Sequence, residues 1–129
     1  MKVTGQKTPR TMSASTLIGD DVKNKAGEDL GDVKEIMLDM ETGQVSYVVV
    51  SFGGFLGMGD KLFAVPWNAF TLNTDDHSFI LDVPKDRLEK APGFDKDRWP
   101  DFADRTWGAT IHQYYKQRPY WESYKETGA

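Results

Sequence analysis

The 129-residue chain carries 39% hydrophobic and 28% charged residues with a formal net charge of −4, which fits one compact domain with its own core and excludes a disordered chain. The negative balance excludes an overall electrostatic pull toward nucleic acid or anionic lipid. Cysteine is absent, which removes disulfides, thiolate metal sites and thiol nucleophiles together, and no apolar run is long enough to span a bilayer.

The opening stretch MKVTGQKTPRTMSAST lacks the apolar segment of a secretory signal. It reads as a loose tail over residues 1–16, with a cytoplasmic location as the default. Residues 17–83 form a second region, dense in β-branched and aromatic residues and punctuated by glycine. Turn signals at short intervals there favour a small antiparallel barrel or sandwich over alternating strands and helices. In NKAGEDLG, Gly27 and Gly31 are placed to open and close a turn. In MLDMETGQVSYVVVSF, Glu41, Thr42 and Gly43 separate two apolar runs, and Gly43 suits the positive φ of a short hairpin loop.

The next strand has Val45, Tyr47 and Val49 on one face and Val48 and Val50 on the other, so it should be covered on both sides. Val33 is out of phase with Ile36, Leu38 and Met40, and one extra residue near Lys34–Glu35 restores the phase, predicting a β-bulge there. Beyond the polar turn NTDDHS, Phe79, Leu81 and Val83 alternate on one face of a strand.

Residues 84–129 turn helical and aromatic. PKDRLEKA predicts a short helix with Pro84 at or near its first turn. PGFDKDRWPDFA is broken by Pro92 and Pro100 and reads as irregular. DRTWGATIHQYYKQRP predicts a helix capped by Asp104 and stopped by Pro119. Its stripe of Trp107, Ile111, Tyr114 and Tyr115 should pack on the barrel or on a second subunit.

The glycine-rich SFGGFLGMGDKLFAVPW is the one stretch that invites a phosphate. In a Walker A loop Asp60 would stand where lysine is required, and in a dinucleotide fingerprint Leu62 fills the third glycine position. The stretch therefore reads as a wide turn. Asp95 and Asp97 open like a calcium loop, but Trp99 and Pro100 occupy a ligand position and the turn glycine. Asp20–Asp21 and Asp75–Asp76 are ordinary turn carboxylates. His77 and His112 form no metal-spaced pair, and no serine sits in a nucleophile elbow. Neither a catalytic constellation, a metal site nor a cofactor site emerges.

The order of Gly27-Glu28, Leu30-Gly31, the strand from Val33 to Asp39, Gly43 before Val45-Ser46-Tyr47, the loop Gly53 to Gly59 and LFAVPW from Leu62 to Trp67 resembles the PRC-barrel family. The C-terminal stretch, running from APGFDKDRWPD to PYW, is similar to the extension of stand-alone bacterial members. The resemblance implies a mainly β fold, a small, strongly bent antiparallel barrel, followed by a C-terminal helical extension. It also implies docking or assembly rather than catalysis, and it transfers no active-site residue. The expected function is thus a non-catalytic protein-binding module acting as a homodimer. The candidate surface comprises Phe55, Leu56, Met58 and Trp67 at the glycine-loop rim. It continues through Trp107, Ile111, Tyr114, Tyr115, Tyr120 and Trp121 at the C-terminal end. RNA or ribosome-associated binding is the alternative, motivated by a ribosome-maturation relative and by Lys116, Arg118 and Lys125 among the aromatics, and a small-molecule-binding protein or enzyme is the remote one.

Overall fold

A computed structural model describes residues 1–5, 11–53 and 61–122. The strands are β1 (Lys2–Thr4), β2 (Asp21–Lys23), β3 (Asp29–Leu38), β4 (Val45–Phe52), β5 (Lys61–Pro66), β6 (Phe70–Asn73) and β7 (Ser78–Leu81). Helix α1 (Ala14–Leu17) precedes β2, and α2 (Lys85–Glu89) and α3 (Arg105–Tyr114) follow β7. The strands form one seven-stranded sheet in the order β1-β6-β7-β2-β3-β4-β5. The fold is mainly β and barrel-like, with α3 in the C-terminal extension.

Antiparallel pairing joins β2 to β3, β3 to β4, β4 to β5 and β6 to β7. The expected antiparallel sheet is, in detail, mixed, because β1 runs parallel to β6 and β2 parallel to β7. The first of these pairings also revises the loose tail, since Lys2, Val3 and Thr4 lie in register with Thr71, Leu72 and Asn73. Ala14–Leu17 add a helical turn whose Leu17 reaches the core.

Strand β4 lies between β3 and the edge strand β5 and is buried from Ser46 to Phe52. Its register places Val48 against Val65 and Val50 against Phe63, while Tyr47 and Val49 oppose Pro66 and Ala64 on the other face. Two covered faces explain why this run is apolar without alternation. The predicted bulge is present: Val33 pairs with Val50 and Glu35 with Val49, leaving Lys34 as the extra residue. Bulges of this kind bend a strand and increase its local twist. A second irregularity, not anticipated, leaves Ser46 extra between the Met37–Tyr47 and Leu38–Val45 pairs. The Ser46 hydroxyl donates to the Met37 carbonyl at 3.0 Å.

Gly43 has the expected positive φ, +75°. Gly31 differs from expectation. It lies inside β3 with φ +109°, rather than closing the turn that Gly27 opens. An added Cβ there would overlap the Ser51 carbonyl oxygen and lie 3.0 Å from the Ser51 carbonyl carbon.

Pro84 caps α2 as expected. The segment that follows is irregular but not idle, because Phe94 exchanges backbone bonds with Leu62 at 3.0 and 2.8 Å and occupies the outer edge of β5. Asp104 caps α3, its carboxylate accepting from the N–H groups of Thr106 and Trp107.

The end of α3 corrects the sequence reading. The helix stops at Tyr114, well before Pro119, because Lys116 adopts φ +58°. The Lys116 N–H donates to Gln113 O and the Gln117 N–H to His112 O, which is a Schellman ending. A left-handed lysine costs roughly 1 kcal/mol that glycine does not. Lys116→Gly is therefore expected to raise stability by about that amount, read as a higher urea midpoint with an unchanged m value.

Candidate interaction surfaces

The C-terminal extension meets the barrel along an aromatic seam centred on Tyr47. Its ring lies 5.8 Å from Phe102, 5.3 Å from Trp107, 5.3 Å from His112 and 5.9 Å from Tyr120. Tilted and edge-on geometries of this kind are the favoured ones for aromatic pairs. Gly108 lets α3 approach this closely, since a Cβ there would stand 2.7 Å from the Tyr47 hydroxyl and 3.1 Å from the Trp121 ring. The Tyr47 hydroxyl has no hydrogen-bond partner among the described residues, and burial pushes its pKa up. Its ring makes the contacts of the seam.

His112, only 1% exposed, is the polar hub of the seam. Nε2 accepts a hydrogen bond from the Tyr120 N–H at 3.2 Å, so Nδ1 carries the proton and donates it to Gly108 O at 2.7 Å. Burial lowers its pKa, opposed by the Gly108 carbonyl and the Glu122 carboxylate. The Tyr120 hydroxyl donates to Asp39 Oδ2 at 2.6 Å and holds that carboxyl below its usual range. Arg105 lies 5.2 Å over the Trp121 ring. A separate clamp ties α2 to α3. Arg87 donates to Tyr114 O at 2.5 Å, the Tyr114 hydroxyl donates back to Arg87 O at 2.6 Å, and the guanidinium covers the ring at 4.3 Å.

These contacts sort the residues expected to form a surface. Ile111 and Tyr115 belong to the hydrophobic core, so of the two positions expected for the stripe they take the one on the barrel, and they leave the candidate surface. A stripe at helical spacing looks the same whether it meets its own barrel or a partner. Trp107, Tyr114 and Tyr120 are half-buried against the core, and Trp121 is half-buried beside them. Phe55, Leu56 and Met58 lie outside the described residues.

Trp67 is the remaining expected residue, and it leads to a place that sequence reasoning missed. It lines an apolar cleft of about 330 Å³ together with Met12, Leu17, Ile36, Leu38 and Leu72. Val3 and Leu38 in the cleft's lining stand out toward solvent at 47% and 55% exposure, as does Met40, two positions beyond Leu38, at 87%. Leu38 also borders a second, more polar groove of about 560 Å³ lined by Asp39, Met40, Arg105, Tyr120 and Trp121. The available signal was Met40, an apolar residue placed at the mouth of a hairpin, where a polar one is expected.

Among the described residues no group of three or more His, Asp or Glu side chains is placed to hold a metal ion. Their helices are all too short or too polar to cross a membrane. A family model of the PRC-barrel domain matches residues 9–88, and the mainly β, barrel-like fold is consistent with it. The chain belongs to the PRC-barrel family. The matched span runs past the barrel boundaries read from the sequence, taking in α1 and most of α2. A search of curated proteins found no match.

Proposed function

We propose that this PRC-barrel protein is a non-catalytic, cytoplasmic docking module that associates with a second copy of itself through the apolar cleft. The observation that carries this reading is a hollow and a projection on one patch. Leu38, in the wall of the cleft that Trp67, Ile36 and Leu17 also line, stands exposed, and Met40 projects two positions further along the chain, in the adjoining groove that Leu38 also borders. A two-fold interface requires such self-complementarity, because each patch meets its own image. Exposed apolar surface of this kind marks an interaction site more often than bare surface. The engagement of both His112 nitrogens by backbone groups supports the non-catalytic part of the reading.

Analytical ultracentrifugation tests the proposal. The native protein is expected to sediment as a dimer, and Leu38→Glu/Met40→Glu as a monomer that keeps the native circular-dichroism spectrum, since both side chains are exposed. Its melting temperature should fall and lose its dependence on concentration. A native protein that stays monomeric at the highest attainable concentration overturns the reading. Binding to single-stranded RNA at low salt, where phosphate contacts are strongest, would favour nucleic acid instead.

A further inference from the structure

The segment from Gln117 to Glu122 leaves α3, folds back over it and closes the aromatic seam. Its attachment is unusual in depending on one unprotonated ring nitrogen. Nε2 of His112 accepts from the Tyr120 backbone N–H, while the same residue's carbonyl accepts from the Gln117 N–H at 2.9 Å. The Tyr120 and Trp121 rings sit 5.9 and 5.5 Å from the imidazole.

We propose that residues 117–122 form a pH-released strap, latched by the neutral imidazole of His112 and opened when Nε2 takes up a proton. In the imidazolium both nitrogens are donors. The new N–H then faces the Tyr120 N–H, donor against donor, and the bond is lost. Flipping the ring brings no relief, because either nitrogen would present a hydrogen. Nδ1 keeps its bond to Gly108 O in both states, so the cost of protonation falls on the strap and not on α3.

The surroundings of the ring fix the direction of the effect. From β4 it faces the Tyr47 ring, whose hydroxyl stays protonated. From its own helix it faces the Gly108 carbonyl, and one turn or more away Arg105 is held over Trp121. From the strap it faces the Tyr120 and Trp121 rings and the Glu122 carboxylate, the one group of opposite charge acting on an imidazolium. The hairpin after β3 contributes Asp39, which is occupied by the Tyr120 hydroxyl.

Burial outweighs Glu122 and the carbonyl, so the latched ring binds its proton less readily than a free histidine of pKa 6.5. The latch is therefore fully closed above that value. It weakens as pH falls from 6.5 toward the lowered value of the latched ring, because opening lets the imidazole recover its ordinary affinity for protons. The Asp39 tie follows the carboxylate rule. It holds above the ordinary aspartate range and fails only when pH falls through the lowered Asp39 pKa. Mild acid thus undoes the backbone tie while the hydroxyl tie to Asp39 still holds the strap nearby.

NMR on the intact native protein tests this. At neutral pH a ¹⁵N–¹⁵N coupling across the Tyr120 N–H···Nε2 bond is expected. It should vanish as His112 titrates, together with Tyr120 amide protection corrected for intrinsic exchange. The protection should fall by up to about tenfold per pH unit, the limit for one linked proton. In His112→Gln, whose side-chain oxygen can accept from Tyr120 without titrating, the protection should stay level across the same range. The proposal is overturned if His112 protonates while the Tyr120 amide keeps its shift and protection. It is equally overturned if Tyr120 loses protection with the same pH dependence in the glutamine variant. The native titration alone decides the first outcome should that variant not fold, and neither outcome depends on whether the protein dimerises.

Discussion

Gly31→Ala is expected to destabilise the fold by about 3 kcal/mol or more, combining backbone strain of about 1–3 kcal/mol with a comparable overpacking cost. Two independent features of the position add. Its φ of +109° lies in a region that side chains resist, and the added methyl would run into the Ser51 carbonyl. That carbonyl belongs to the backbone of β4, the most deeply buried strand, so it has little freedom to move aside. Gly43→Ala is the internal control. It shares a positive φ of +75° but has open space around it, so its loss should be about 1 kcal/mol. Urea titrations of the two variants separate strain alone from strain with collision. Equal losses would mean that β3 and β4 can part at Ser51 without penalty.

Tyr47→Ala should cost about 3–5 kcal/mol, the range for removing a large buried aromatic side chain. Tyr47→Phe should be neutral or stabilising by about 1 kcal/mol, because a buried hydroxyl without a partner among the described residues is removed. The pair distinguishes a ring from a hydroxyl as the source of adhesion between barrel and extension. The alanine variant has a spatial signature as well. Phe102, Trp107, His112 and Tyr120 all rest on this one ring. Amide protection over Arg105–Tyr114 should therefore fall more than protection within β3 and β4. Uniform loss across the chain would show that the extension and the barrel unfold as one unit even without the ring.

What the sequence disclosed is local. The bulge at Lys34 follows from a slipped alternation, the double cover of β4 from an unbroken apolar run, and the helix start from an Asp104 carboxylate beside free N–H groups. Each is a rule about neighbours along the chain. The features that escaped join distant residues or defy local preference. β1 is three exposed residues whose only identity comes from pairing with β6, 69 positions later in the Lys2–Thr71 pair. Lys116 gives no hint that it will take a left-handed conformation and end α3 early.

The candidate site divides in the same way. Trp67 was named from the sequence and lines the apolar cleft, whereas Leu38 and Met40 entered only as residues in phase with Ile36. The strand ends at Leu38, and the chain turns there before Met40 can point inward. Helical spacing marked Ile111 and Tyr115 as one face without saying what that face meets. The answer, the protein's own barrel, depends on Gly108 allowing α3 to settle against Tyr47.

The backbone exchange between Phe94 and Leu62 joins a residue beyond the family match to one within residues 9–88. In the strand order β5 is one of the two outermost strands, and its six residues are apolar except for Lys61. Excised at residue 88, the barrel would present that edge bare, with its donors and acceptors open to another molecule's strand. An expression fragment cut to residues 9–88 should therefore aggregate more readily than the 129-residue chain.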